Sequence, residues 1–311
     1  VTRTLPSDHC TLVTPSSEDR ASWLRARKTG IGSSDASALV GANPWQSRLA
    51  VWLDKTSDVS DDTPPSRAMM LGNHLEEAVA QLFTHETGKA VTPVGMVRSK
   101  KWPFMMASCD RVLVDERAVL ECKTTAWHQA KEWENDEIPN HALIQTIHQL
   151  AVTGLPRAYV AVLIGGGDDF QIRTVERDDA AISGLVELCE DFWTNYVQTG
   201  VEPRASQASD FQLMSSIRQP VDEQTIPTSV ELQGWLRERA QIRSQKTELE
   251  RRYQLVSARI IQELDGASAV VGMEGEPLCT YREIKRSGYT VEPKTIRQLK
   301  LTNRGREYFN G

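Results

Sequence analysis

The chain has 311 residues, 40% of them hydrophobic, and carries 36 Lys and Arg against 42 Asp and Glu for a formal net charge of -6. That is enough apolar material for one large or two smaller packed domains, and the negative balance excludes a protein coated in positive charge while leaving room for a local basic channel. No apolar run approaches the roughly 18 residues of a spanning helix, and Val1 to Pro6 holds no apolar signal core, so a soluble cytoplasmic protein without membrane contact is expected.

Residues 1–15 lack periodicity and read as a loose arm, one that includes Cys10. The other cysteines, Cys109, Cys122, Cys189 and Cys279, are scattered without a C-x-x-C pair, so reduced thiols are expected and neither a disulfide framework nor a zinc site. Ser16-Ser17-Glu18-Asp19 supplies an N-cap and acidic first turn for a helix through Trp23, Leu24 and Arg27 that stops at Thr29-Gly30. Ile31 to Val40 is a small-residue loop feeding a helix, with Ser34 or Asp35 near its N-cap. Such a terminus with Arg27 just upstream suits a phosphate; a plain cap beside a solvated arginine is the other reading.

A short amphipathic helix is expected over Leu49 to Lys55, a polar loop from Ser57 to Pro65, and then the longest helix of the first half, Arg67 to Gly88. Its buried face is read as Leu71, Leu75, Val79, Leu82 and Phe83, with Gly88 just past its end. Glu76 lies at the margin of that face, either turned inward as a further acid or solvated beside Glu77.

Ala90 to Val97 reads as a strand leading to Phe104-Met105-Met106-Ala107-Ser108 and so to Asp110. Arg111 to Val114 and Ala118 to Leu120, parted by Asp115-Glu116-Arg117, read as a hairpin that continues through Glu121-Cys122-Lys123-Thr124-Thr125. Side chains alternate along a strand, so Glu121 and Lys123 share one face and Cys122 takes the other. Carboxylates converging from neighbouring strands make a hard oxygen site suited to Mg²⁺ or Mn²⁺, and the lysine can steady an anionic nucleophile or a phosphate. A surface hairpin with an ordinary Glu/Lys pair is the plain alternative.

Ala126 to Glu137 is expected to be helical and ended by Pro139; His141 to Thr153 forms a helix with Leu143, Ile147, Leu150 and Ala151 inward and Gln145 and His148 on another face. Tyr159 to Ile164 and Phe170 to Val175 are strands joined at Gly165-Gly166-Gly167. No Gly-Lys-Ser/Thr follows those glycines, so a turn and no nucleotide cofactor is expected. Asp178 to Tyr196 is a helix. Pro203 to Pro227 is turn-rich, and Thr228 to Leu264 is a long helix with Leu232, Trp235, Arg239, Ile242, Lys246, Leu249, Tyr253, Val256 and Ile260 three and four apart, as in a coiled coil. A hairpin over Ala269 to Val271 and Leu278 to Ile284 precedes a tail with Arg282, Lys285, Arg286, Lys294, Arg297, Lys300, Arg304 and Arg306, which suits a phosphate backbone or simply solvent. The division expected is an arm (1–15), a mixed α/β core (16–203), a linker (204–227) and a C-terminal helical and hairpin region (228–311).

Arg27 with Ser34, Gly72-x-x-x-Glu76, Ser108-x-Asp110, Glu121-x-Lys123 and Gln145 stand in one order. With phrases such as Leu-Glu-Cys-Lys-Thr-Thr and His-Gln-Leu-Ala-Val-Thr-Gly, this order resembles the lambda-exonuclease-like, YqaJ-type viral recombinase nucleases of the PD-(D/E)XK superfamily, over roughly residues 20–200. Cys109 stands where the superfamily's name expects proline. The resemblance implies a restriction-endonuclease-like core, a mixed sheet flanked by helices, and a metal-dependent 5′-to-3′ exonuclease of phage or prophage origin acting on 5′-phosphorylated ends of duplex DNA. It implies that Asp110, Glu121 and the Cys122 carbonyl hold Mg²⁺ (Mn²⁺ as a substitute, two ions per site), with Glu76 as an outer acid, Lys123 orienting the attacking water and Gln145 supporting them. It further implies a 5′-phosphate pocket of Arg27, Ser34 and Ser108, an apolar wedge at Met69, a homotrimer, and a single-strand annealing protein as partner. Two rivals stay open: an endonuclease or RecB-like nuclease module on the same fold, and a non-catalytic DNA-binding or coiled-coil adaptor.

Overall fold

The computed structural model describes residues 8–15, 20–57, 66–167, 169–218 and 225–284. The chain divides into two units, Val1–Arg218 and Gln219–Gly311. The expected cap at Ser16 to Asp19 and the basic tail from Lys285 onward lie outside the described residues.

The first unit is built on a five-stranded sheet in the order β2 (Thr92–Pro93), β5 (Arg111–Leu113), β6 (Ala118–Thr125), β7 (Arg157–Ile164), β8 (Asp169–Glu176). β6 and β7 run parallel and the other pairs antiparallel, so the sheet is mixed. A parallel pair needs a crossover, and helix α5 (Asn140–Thr153) supplies it. The apolar run of β7 is buried on both faces, as a central parallel strand must be. On one face Val79, Ala80 and Phe83 of α4 (Arg67–Thr87) pack on Leu113, Leu120, Tyr159 and Leu163. On the other, Leu150, Ala151 and Val152 of α5 join Ile182 and Val186 of α6 (Asp179–Phe192) against Val119, Val160 and Val162. Each fully buried side chain of this kind contributes roughly 1.5–3 kcal/mol. A third cluster joins α2 (Ser33–Leu39) to α6 through Ala36, Leu39, Leu185, Cys189 and Phe192.

Several sequence readings are corrected. The arm contributes a strand, β1 (Cys10–Thr14), paired with β3 (Met96–Ser99), which pairs in turn with β4 (Met106–Ser108) in a separate three-stranded sheet. The single strand expected over Ala90 to Val97 is two, β2 and β3, in different sheets, with Gly95 between them. A Cβ at Gly95 would collide with the Thr14 carbonyl, so the close approach of β1 requires glycine there. The helix expected over Ala126 to Glu137 is a 3₁₀ helix broken at Glu134 and Asn135. The turn-rich stretch after residue 203 contains helix α7 (Asp210–Ile217), anchored because buried Asp210 accepts hydrogen bonds from Ser47 Oγ, Ser206 N and Gln207 N. Leu71 is exposed, not part of the buried face of α4. The five cysteines are free, as expected.

Short helices α1 (Arg20–Arg27) and α3 (Arg48–Thr56) complete the first unit. The second unit contains α8 (Val230–Leu264), whose Ser229 N-cap accepts from Leu232 N, and an antiparallel hairpin of β9 (Ala269–Val271) and β10 (Pro277–Thr280). Together these give the mixed sheet flanked by helices, the long C-terminal helix and the small hairpin that the sequence reading anticipates. Among the described residues no helix is long and apolar enough to cross a membrane.

Candidate active site

The β5–β6 hairpin pairs Arg111 with Leu120, so one step further along the same register Asp110 comes opposite Glu121. Asp110 Oδ2 accepts from Cys122 N at 2.7 Å. Val119 faces α5, and strand alternation carries Glu121 and Lys123 to that same side. There Lys123 Nζ donates to Glu121 Oε1 at 2.6 Å and to Gln145 Oε1 at 2.9 Å, while Gln145 Nε2 donates to Glu121 Oε1 at 2.6 Å. Glu121 is 2% exposed, and its second oxygen accepts from Gln149 Nε2 at 2.6 Å. Gln149 lies one helical turn beyond Gln145 and so shares its face. From the other side of the sheet, Arg111 donates to Glu76 Oε1 at 2.5 Å and to Glu77 Oε2 at 2.7 Å.

The electrostatics set the roles. Burial, reinforced by the charges of Glu121 and Glu76, pushes the Asp110 carboxyl well above its ordinary range against the opposing pull of Lys123 and the Cys122 N–H. Burial alone would lower the Lys123 ammonium, but Glu121 and Asp110 outweigh it and raise the pKa. Lys123 is therefore held in its charged form. Burial, with the nearby carboxylates, pushes up the thiols of Cys109 and Cys122, which leaves them neutral and poor nucleophiles.

Among the described residues, no group of three or more His, Cys, Asp or Glu side chains is already arranged around one metal position. Asp110, Glu121 and Glu76 nonetheless offer carboxylate oxygens close enough to act on one another, and the neighbouring Cys109 and Cys122 thiols stay protonated. The upward push on Asp110 comes first from burial and then from the charges of Glu121 and Glu76, and a cation would oppose it. That chemistry fits a hard divalent ion such as Mg²⁺ or Mn²⁺.

A second group stands close by. Arg27 Nη2 donates to Ser34 Oγ at 3.3 Å and to Asp35 Oδ1 at 2.7 Å, and its guanidinium lies 5.5 Å from the Trp23 ring centre. Trp23 Nε1 donates to Ser108 Oγ at 3.3 Å. Asp35 is fully buried and also accepts from Lys55 Nζ at 2.7 Å and Gly32 N at 2.9 Å. Burial would raise its carboxyl, but Arg27 and Lys55 hold it well below the usual carboxylate range. Asp54 Oδ2 also lies 3.1 Å from Lys55 Nζ, so Lys55 is shared between two acids while the Arg27 guanidinium stays partly exposed.

Arg27, Ser34 and Ser108 line a single cavity of about 670 Å³ together with Glu76, Asp110 and Gln145. The expected phosphate residues and acids thus share one space. Met69 does not line it; it is 57% exposed in the first turn of α4, next to exposed Met70 and Leu71. The sequence reading misses Trp23, Asp35, Lys55, Arg111 and Gln149. Gln149 has a legible signal, its i+4 spacing from Gln145, but the sequence pattern pairs His148 with that face instead. In fact His148 is wholly buried, with Nδ1 3.1 Å from Ser33 Oγ.

The first unit is thus a mixed α/β domain whose sheet carries clustered acids and a lysine beside the Arg27 node. Residues 22–156 match the family described as YqaJ-like viral recombinase domain. A protein of Bacillus subtilis (strain 168), described as uncharacterized protein YqaJ, is 41% identical over 187 residues, which cover 59% of this chain and 58% of that protein. LHK-Exo, an alkaline exonuclease from Laribacter hongkongensis solved with dAMP, is 20% identical, with 58% of this chain and 94% of that chain covered at a TM-score of 0.48. A phage related exonuclease from Haemophilus somnus 129PT is 13% identical, with 55% and 96% covered at a TM-score of 0.41.

Proposed function

We propose that this chain is a divalent-metal-dependent deoxyribonuclease that degrades one strand of linear duplex DNA from a 5′-phosphorylated end, releasing 5′-mononucleotides and leaving a 3′ overhang. The observation that carries the reading is the shared cavity: a guanidinium- and hydroxyl-bearing node at Arg27, Ser34 and Ser108 opens into the same space as Glu76, Asp110 and Gln145. An anion anchor at fixed reach from the reacting phosphodiester sets the cleavage register, because a held end converts positioning into rate.

In this reading Asp110, Glu121 and the Cys122 carbonyl hold the cation, with Glu76 contributing from the outer side. When bound, two such ions supply Lewis-acid activation of water and of the leaving 3′-oxygen. Lys123, kept protonated by Glu121 and Asp110, orients the attacking oxygen and offsets charge developing on the phosphoryl group. Gln145 and Gln149 fix the Glu121 carboxylate between them. Arg27, Ser34 and Ser108 receive the terminal phosphate, for which a guanidinium is geometrically suited. The overhang is matched to a single-strand annealing protein, and the homotrimer implied by the family resemblance belongs to the same proposal.

The test is digestion of linear duplex with Mg²⁺ or EDTA, beside a closed circular control and the Lys123→Ala variant. Mononucleotide release that needs Mg²⁺ and Lys123 and spares circles supports the proposal. Cutting of circles points to the endonuclease reading, and metal-independent binding without hydrolysis to the adaptor.

A further inference from the structure

The site leaves the coiled-coil-like pattern of α8 unexplained. Along this 35-residue helix Ile242, Leu249, Tyr253, Val256 and Ile260 are 56%, 65%, 70%, 46% and 42% exposed. With Lys246 they alternate four and three apart, the a and d positions of a heptad, and form one continuous stripe. The helix's buried residues, Ala240 and Leu264, fall at b and e positions, off this stripe. A row of large apolar side chains on one face of a helix is the signature of a partner helix.

We propose that this partner is the same helix of a second copy of the chain, running antiparallel. The choice of a second copy rests on self-complementarity. In the register that sets Lys246 against Leu249 of the second copy, Ile242 meets Tyr253, and the two-fold axis repeats both contacts. The flanking charges then agree. Arg243 faces Glu250 of the second copy and Glu238 faces Arg259, each pair again made twice, and all four residues are exposed. A parallel pairing instead sets Lys246 against Lys246 and Arg239 against Arg239 across the seam, which like-charge repulsion disfavours.

The antiparallel register fits a further feature. Trp235 comes level with Ile260 of the second copy, at the mouth of an apolar groove of about 580 Å³ lined by Val256, Ile260, Leu264 and Val270. A half-exposed tryptophan arriving at an apolar groove is the kind of anchor that dominates interface energetics. None of these residues borders the catalytic cavity, and the two-fold pairing is an interface additional to the homotrimer of the nuclease proposal, joining two such oligomers where both form.

The experiment is the solution mass of the full chain by sedimentation equilibrium over a concentration series, for the native sequence, Arg243→Glu, Glu250→Arg and the double variant. All the changes are on exposed helix positions and leave the folded core untouched. Each single reversal turns two attractive contacts repulsive and is expected to weaken association about tenfold or more, halving the mass where the native chain is associated. The double variant is expected to recover the native mass. One mass shared by all four proteins overturns the proposal, as does loss in both single variants without recovery in the double. The first outcome also covers a seam filled by the chain's own basic segment 285–311.

Discussion

Arg27 and Asp35 form a 2.7 Å ion pair whose carboxylate is completely buried, so the guanidinium at the candidate phosphate subsite is held by an anion that solvent never reaches. Lys55, also buried, closes the node by bonding both Asp35 and the Arg27 carbonyl. Asp35→Asn leaves Arg27 without its ion-pair partner and Lys55 with Asp54 alone. It is expected to cost about 3–5 kcal/mol of stability and to reduce the preference for 5′-phosphate over 5′-hydroxyl ends. Because the folded carboxyl lies below its unfolded value, the stability it contributes is present above the unfolded Asp pKa, about 3.9, and declines as pH falls below it. Chemical denaturation of the native and Asn forms at pH 7, together with end-preference ratios, checks both effects.

His148 gives a pH dependence of the same sign in a higher pH window. Burial lowers its folded pKa to about 4, whereas the unfolded chain titrates near 6.5. Between these values the unfolded state binds a proton that the folded state refuses. Stability therefore falls as pH drops from about 6.5 to about 4, by roughly 3 kcal/mol in total. Urea melts at pH 7 and pH 5 should show the loss, and His148→Gln should flatten the slope.

Gln149 is expected to matter although it lies behind the site. It alone donates to Glu121 Oε2 among the hydrogen bonds of the described residues. Gln149→Ala should free that carboxylate to rotate and raise the Mg²⁺ concentration needed for half-maximal activity about 10–100-fold, the usual cost of losing an outer partner of a metal ligand. Unchanged Mg²⁺ dependence would show that Gln145 and Lys123 hold Glu121 sufficiently by themselves.

The pH-rate profile follows from Asp110 and Lys123. The carboxylates must be ionised to hold a cation, and Asp110 is pushed up by burial, Glu121 and Glu76, so activity should rise with pH through the titration of this coupled set. Lys123 is pushed up as well, so the required ammonium persists into the alkaline range. A rate that climbs from neutral pH and holds through mildly alkaline pH is expected; a decline beginning near neutrality contradicts these assignments.

The sequence made the hairpin legible because its acids and lysine sit on strands whose alternation fixes their faces. Asp110, Glu121, Lys123 and Gln145 lie within 36 residues of one another, and short-range geometry carries them together. The Asp35 node was not legible for the opposite reason. A lysine ending a short helix and an aspartate starting another look like solvated caps until tertiary packing buries both. Likewise β1 reads as an arm because it is short and finds its partner, β3, more than 80 residues away. The break between β2 and β3 is set by Thr14 pressing on Gly95, a contact invisible to local pattern.

The central claim is that one cavity joins a 5′-phosphate anchor to the cleavage chemistry. It is tested most directly by initial rates on linear duplexes differing only in a 5′-phosphate or 5′-hydroxyl, for the native chain and Arg27→Ala. The native chain should prefer the phosphorylated end by about tenfold or more, a margin of at least ~1.4 kcal/mol, and Arg27→Ala should bring the ratio close to one. Equal rates on the two ends in the native chain, or an unaltered ratio in Arg27→Ala, would contradict it.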